Sequence, residues 1–116
     1  MSDADLPAGF DYPSSLRRLI KRGIIDLEPW YFLDAVQAKD MMLGMAERYP
    51  ERGFVPFARR EDNDDVACFS MGVSGKVFVV HDYSSKGWEV RLELEFYDWF
   101  RRAVENMIEF DILEEV

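Results

Sequence analysis

The sequence predicts a single α+β domain: a twisted, mostly antiparallel sheet flanked by helices and ending in a long amphipathic helix. Three observations predict it. Apolar residues recur with a helical period toward both ends of the chain, the period changes to two from Gly53 onward, and a length of 116 residues suits one domain. Helices placed before and after a run of strands argue for α+β, with the helices segregated around an antiparallel sheet. Hydrophobic residues make up 48% of the chain and aromatic residues 15%. A chain of this size buries about two-thirds of its unfolded surface, enough for one ring-rich core.

Residues 1–12 read as a mobile entry segment, polar and Pro/Gly-containing as far as Gly9. Pro13-Ser14-Ser15 then opens a short helix. Leu16, Leu19 and Ile20 form one face, Arg17, Arg18, Lys21 and Arg22 the other, and Gly23 is the stop. This helix is a basic patch on an acidic chain. Trp30-Tyr31-Phe32-Leu33 is bulky and β-favouring, with its entry fixed by Pro29, and predicts a short strand. A second helix runs from Ala35 or Gln37 to Arg48 on the repeat of Met41, Met45 and Tyr49, and Pro50 ends it.

From Gly53 onward, residues 54–58 form a strand or strand-like link, and residues 65–71 and 76–82 form two clear strands. Gly72-Val73-Ser74-Gly75 between them reads as a four-residue hairpin loop. Val66, Cys68 and Ser70 face one way and Ala67, Phe69 and Met71 the other, so both faces are apolar and the hairpin lies centrally in its sheet. A third strand passes through residues 88–92. Phe96, Trp99, Phe100, Ala103, Met107 and Phe110 define the core face of the final helix, over residues 95–109.

Asp and Glu number 23 against 14 Lys and Arg, a formal charge of −9. That field repels phosphate backbones and anionic lipid and draws basic partners in, so neither nucleic acid nor a membrane is expected as partner. One cysteine forms no internal disulfide, the first residues lack the pattern of a signal peptide, and no apolar run is long enough to span a bilayer. A reduced, cytoplasmic setting is the expectation.

Catalytic chemistry is sparse. His81 adjoins Asp82, but neighbouring strand residues point to opposite faces, so the two do not pair side by side; His81 reads as a strand-end histidine satisfied by neighbours. Cys68 lies on the adjacent strand, which makes a Cys68–His81 pair conceivable, yet no third orienting group or oxyanion loop accompanies it. Cys68 reads as a small buried hydrophobe. One cysteine and one histidine do not compose a usual zinc site. No catalytic residue, cofactor or metal is assigned. Glu61-Asp62-Asn63-Asp64-Asp65 lacks the turn glycine and closing glutamate of a calcium loop. It reads as a solvated turn, and as a recognition loop for Lys and Arg on a partner. Asp82, Tyr83 and Trp88 belong to the neighbouring loop, 81–88, and Tyr and Trp are residue types that anchor interfaces.

Several short motifs follow one another in an order that resembles a known family: Tyr49-Pro50, Pro56-Phe57-Ala58-Arg59, the stretch 62–69, the strand 77–82, Gly87-Trp88-Glu89 and the aromatic helix 96–100. The chain resembles the SUKH superfamily, which includes a yeast cell-wall synthesis regulator and many bacterial immunity proteins. The resemblance spans about residues 16–110. It departs from the family where many members carry a Gly-Gly pair: Gly23 stands alone, and residues 62–65 fill the central turn. It implies an α+β fold and a non-catalytic role, the direct binding and neutralisation of a toxin, often a nuclease. The expected partner is therefore another protein, a basic toxin domain, bound through Glu61, Asp62, Asp64 and Asp65 with Asp82, Tyr83 and Trp88 beside them. A regulatory or scaffold domain with a non-toxin partner would use the same surface, and an enzyme built on Cys68 and His81 ranks below both. The oligomeric state is not legible.

Overall fold

Two periodicities build three layers. A computed structural model describes residues 10–24, 26–48, 50, 53–63, 65–83 and 87–114, apart from the side chains of Ser74, Glu114 and residues 82–83 and 87–92. In chain order the elements are α1 (Ser14–Lys21), β1 (Asp26–Leu27), β2 (Trp30–Phe32), α2 (Ala35–Arg48), β3 (Phe54–Arg60), β4 (Asp65–Ser70), β5 (Val73–Tyr83), β6 (Gly87–Glu95) and α3 (Phe96–Glu114). The six strands lie in the sheet in this same order, each antiparallel to the next. The chain is a single α+β domain.

Alternation along the strands gives each face its own core. Ala67, Phe69, Val77 and Val79 face α1 and α3, where Leu16, Leu19, Trp99 and Ala103 complete the larger cluster. Val66, Cys68, Phe78 and Val80 face α2 and meet Met45, with Met41 beside them. On β3 the register shifts between Pro56 and Ala58, so Phe57 and Ala58 both join the larger cluster. Phe57 is fully buried, 4.5 Å from Phe69 in a stacked pair and 4.9 Å from Trp99 edge-on.

Local chemistry sets the ends of α2. Asp34 precedes it, its Oδ1 accepting from the Gln37 backbone N–H at 2.8 Å, while Gln37 Oε1 accepts from the Asp34 N–H at 3.1 Å. This reciprocal capping box fixes the start at Ala35.

Several boundaries differ from the sequence reading. Residues 1–9 of the expected mobile entry lie outside the described residues, but Tyr12 is buried and Phe10 and Tyr12 pack against Phe69, so the chain is anchored from Phe10. Residues 72–75 are not a loop. Ser70 pairs with Val73 across a two-residue turn, and the register then shifts before Cys68 meets Phe78. Gly72 and Gly75 have φ of 80° and 76°, which only glycine adopts readily, so both glycines serve a tight turn followed by an irregular strand start. Residues 54–58 are part of a full strand, β5 begins at Val73 and ends at Tyr83, against an expected 76–82, β6 and α3 outrun their expected spans, and β1 was not foreseen.

Two substitutions test this account. Phe57→Ala removes the ring on which the larger core is stacked and should cost about 3–5 kcal/mol. Asp34→Ala removes a cap and should cost about 1 kcal/mol. Both are read from the shift in the urea midpoint at constant slope.

Candidate functional site

Strand direction brings three connections to one end of the sheet. The β1–β2 turn at Glu28-Pro29, the acidic β3–β4 turn and the end of the β5–β6 hairpin all lie there, because Trp30 pairs with Arg60 and Asp65 pairs with His81. The acidic turn is tied down: the Glu61 N–H donates to Pro29 O at 2.9 Å, and Asn63 Oδ1 accepts from the Asp65 N–H at 2.8 Å. Asp26, Glu28 and Glu61 border a hollow of about 240 Å³ walled by Pro29, Trp30 and Tyr31.

The predicted site residues part company here. Glu61 is exposed. Asp62 is exposed too, but both of its oxygens accept from Arg60, from Nε at 2.6 Å and from Nη2 at 3.0 Å, so much of its charge is matched within the turn. Asp64 lies outside the described residues. Asp65 requires correction: it is 8% exposed, and its Oδ1 stands 2.8 Å from His81 Nδ1. As the first residue of β4 it shares the face of Ala67 and Phe69, which turns its carboxylate inward beneath α3. Asp82 and Tyr83 end β5, opposite Trp88 and Gly87 of β6, so the expected loop 81–88 is mostly a strand pair; the side chains of Asp82, Tyr83 and Trp88 lie outside the description.

The sequence reading missed the exposed apolar residues Ile108 and Ile112 on the outer face of α3. Glu105, Ile108, Glu109 and Ile112 recur at i, i+3, i+4 and i+7, and all four are exposed, Ile108 by 50% and Ile112 by 54%. Leu113 beside them is 73% exposed. The Trp30 indole N–H donates to Asn106 Oδ1 at 3.1 Å, and Glu105 and Glu109 border a cleft of about 290 Å³ with Trp30, Arg60 and Asp65. Trp30 borders both this cleft, with Glu105, Glu109 and Arg102, and the hollow of Asp26, Glu28 and Glu61. The available signal was the pair Ile108 and Ile112, which fall off the core stripe of Phe96, Trp99, Ala103 and Met107.

Cys68 and His81 do not form a pair. Cys68 faces α2 and is fully buried, with its thiol 3.5 Å from Phe78 O, whereas His81 faces α3 with Asp65. Among the described residues, buried Trp99 Nε1 has no hydrogen-bond partner, and its ring lies edge-on to those of Phe57 and Trp30. The basic helix makes internal contacts: Arg17 meets Asp11 at 3.5 Å, and Arg18 donates to the Tyr97 hydroxyl at 3.1 Å. At the far end of the sheet, Glu95 accepts from Lys76 Nζ at 2.7 Å and raises the ammonium pKa above its ordinary value. No helix among the described residues is long and apolar enough to cross a membrane. Comparison with family models, with curated proteins and with solved structures returned no significant match.

Burial separates the carboxylates experimentally. Asp65→Ala should cost about 1–3 kcal/mol, since it strips a buried partner from His81, and Glu61→Ala should stay within about 0.5 kcal/mol. Thermal unfolding of the two variants checks this. Cys68 should resist thiol reagents in the folded protein and react promptly in denaturant; rapid labelling of the native state would place the thiol at an accessible surface.

Proposed function

We propose that the chain is a non-catalytic protein-binding domain of the immunity type, which holds and neutralises a basic, nuclease-like toxin in the cytoplasm. One observation carries the reading: α3 exposes Ile108 and Ile112 with Glu105 and Glu109 on the same face, and the two glutamates border a cleft whose Trp30 also walls the hollow of Asp26, Glu28 and Glu61. An apolar centre supplies burial on association, and a carboxylate rim selects a basic partner and speeds encounter. A formal charge of −9 adds a long-range field of the same sign. A nuclease presents cations to its substrate, so an acidic surface competes for the same groups. The order of motifs that resembles the SUKH superfamily supports the same role. Of the acids in the β3–β4 turn, Glu61 and Asp62 are exposed, whereas Asp65 is buried against His81.

The test is affinity capture from the native cells at low salt, with the parent and with two variants, Ile108→Ser and Glu105→Lys combined with Glu109→Lys. The expected partner is basic, has nuclease activity that the parent suppresses, and dissociates as salt shortens the screening length from about 10 Å to about 3 Å between 0.1 M and 1 M. Ile108→Ser should weaken binding about tenfold and the charge reversal by more. A partner held equally by parent and variants would remove this surface from the proposal. A basic partner without nuclease activity would point instead to a regulatory or scaffold role.

A further inference from the structure

The two edges of the sheet are unequal. One is β1, only 2 residues long, and the other is β6, 9 residues from Gly87 to Glu95, bonded on one side to β5. Among the described residues no strand pairs with the outer side of β6. Alternate N–H and C=O groups of such a strand point away from its neighbour in the plane of the sheet, so the backbone alone fixes where they aim. The register shifts once, between Val79 and Val80, and leaves two regular runs, 87–90 and 92–95. Short length, proline, lysine and bulges commonly blunt an exposed edge. β6 has the bulge, but it is long and its sequence holds neither proline nor lysine. Its charges are three glutamates and one arginine.

We propose that β6 accepts an added strand from another protein, an extended segment that alternates basic with apolar residues and seats on the run 92–95. Main-chain hydrogen bonds supply the affinity of such an addition, and the alternating side chains supply the selection. Along this run Leu92 and Leu94 alternate with Glu93 and Glu95. Residues opposite one another across a strand pair share a face, so a segment of the same alternation and opposite charge matches it. Glu93 and Glu95 are exposed, while Leu94 packs against the larger core. Glu95 already accepts from Lys76 at 2.7 Å, which leaves Glu93 as the carboxylate that an incoming cation meets. A second copy of the chain fits the edge less well, since it brings the same excess of carboxylates and a formal charge of −9. The edge lies across the sheet from β1 and β2, and Ile108 and Ile112 are no part of it.

The experiment titrates the full chain with a short, end-capped peptide of alternating lysine and valine and follows amide hydrogen exchange by NMR. In the free chain the β6 amides directed at β5 should exchange slowly and those directed outward rapidly. Peptide at about ten times its dissociation constant should slow the outward amides of 92–95 about tenfold. The same peptide N-methylated throughout keeps its charge but loses its ladder donors, and should bind at least about tenfold more weakly. Glu93→Lys changes an exposed side chain and leaves the backbone edge in place, and it should weaken binding about fivefold. Equal binding of the N-methylated peptide, equal binding of a glutamate–valine peptide, unchanged affinity in Glu93→Lys, or slowed exchange confined to α3 would each overturn the proposal. Outward β6 amides protected in the free chain, and more so as its concentration rises, would make a second copy the occupant and overturn it as well.

Discussion

The fold depends on Phe57 being carried to the α3 side of the sheet together with Ala58. The register shift after Pro56 puts two successive residues on one face. Phe57 fills the space under Trp99 while stacking on Phe69, and Ala58 leaves room beside it. Phe96 completes the group, 5.9 Å from Trp99 and 6.0 Å from Phe57. These rings hold α3 across the sheet from the β5–β6 side to β2, where Trp30 meets both Trp99 and Asn106. The candidate surface follows from that crossing. A helix seated elsewhere would not bring Glu105 and Glu109 to the cleft bordered by Trp30, Arg60 and Asp65.

Most of this architecture was legible because periodicity reports burial. The core stripe of α3 and the two faces of β4 follow from spacing, since each repeating position meets the same neighbour, while the end of α2 follows from Pro50. Legibility fails where the answer lies across the sheet. Residues 72–75 contain the right glycines for a loop, but pairing of Ser70 with Val73 draws the turn back to Met71-Gly72. The two residues of β1 form a strand only because Leu27 and Asp26 find partners on β2. Tyr12 reads as an entry residue until Phe69 is seen beneath it.

The candidate site divides in the same way. A run of acids in sequence reads as a uniform negative patch, yet its members have separate fates. Asp62 closes onto Arg60, Asp65 turns inward to His81, and Glu61 remains outward. Strand alternation implies that Asp65 shares a face with Ala67 and Phe69; the missing information was that α3 covers that face as far as Asp65. The Cys68–His81 question had its answer in parity, since an even shift separates residues on one face and Cys68 aligns with Phe78 and Val80.

The identity of strand order and chain order has a consequence for chain entropy. Within the sheet, β1–β2, β3–β4, β4–β5 and β5–β6 are each separated by only a few residues in sequence, so each pairing restrains only a short length of chain. Between β2 and β3 the whole of α2 intervenes. The logarithmic cost of loop closure therefore concentrates at that one junction, and the capping box at Asp34, by starting the helix promptly, shortens the effective span that must close there.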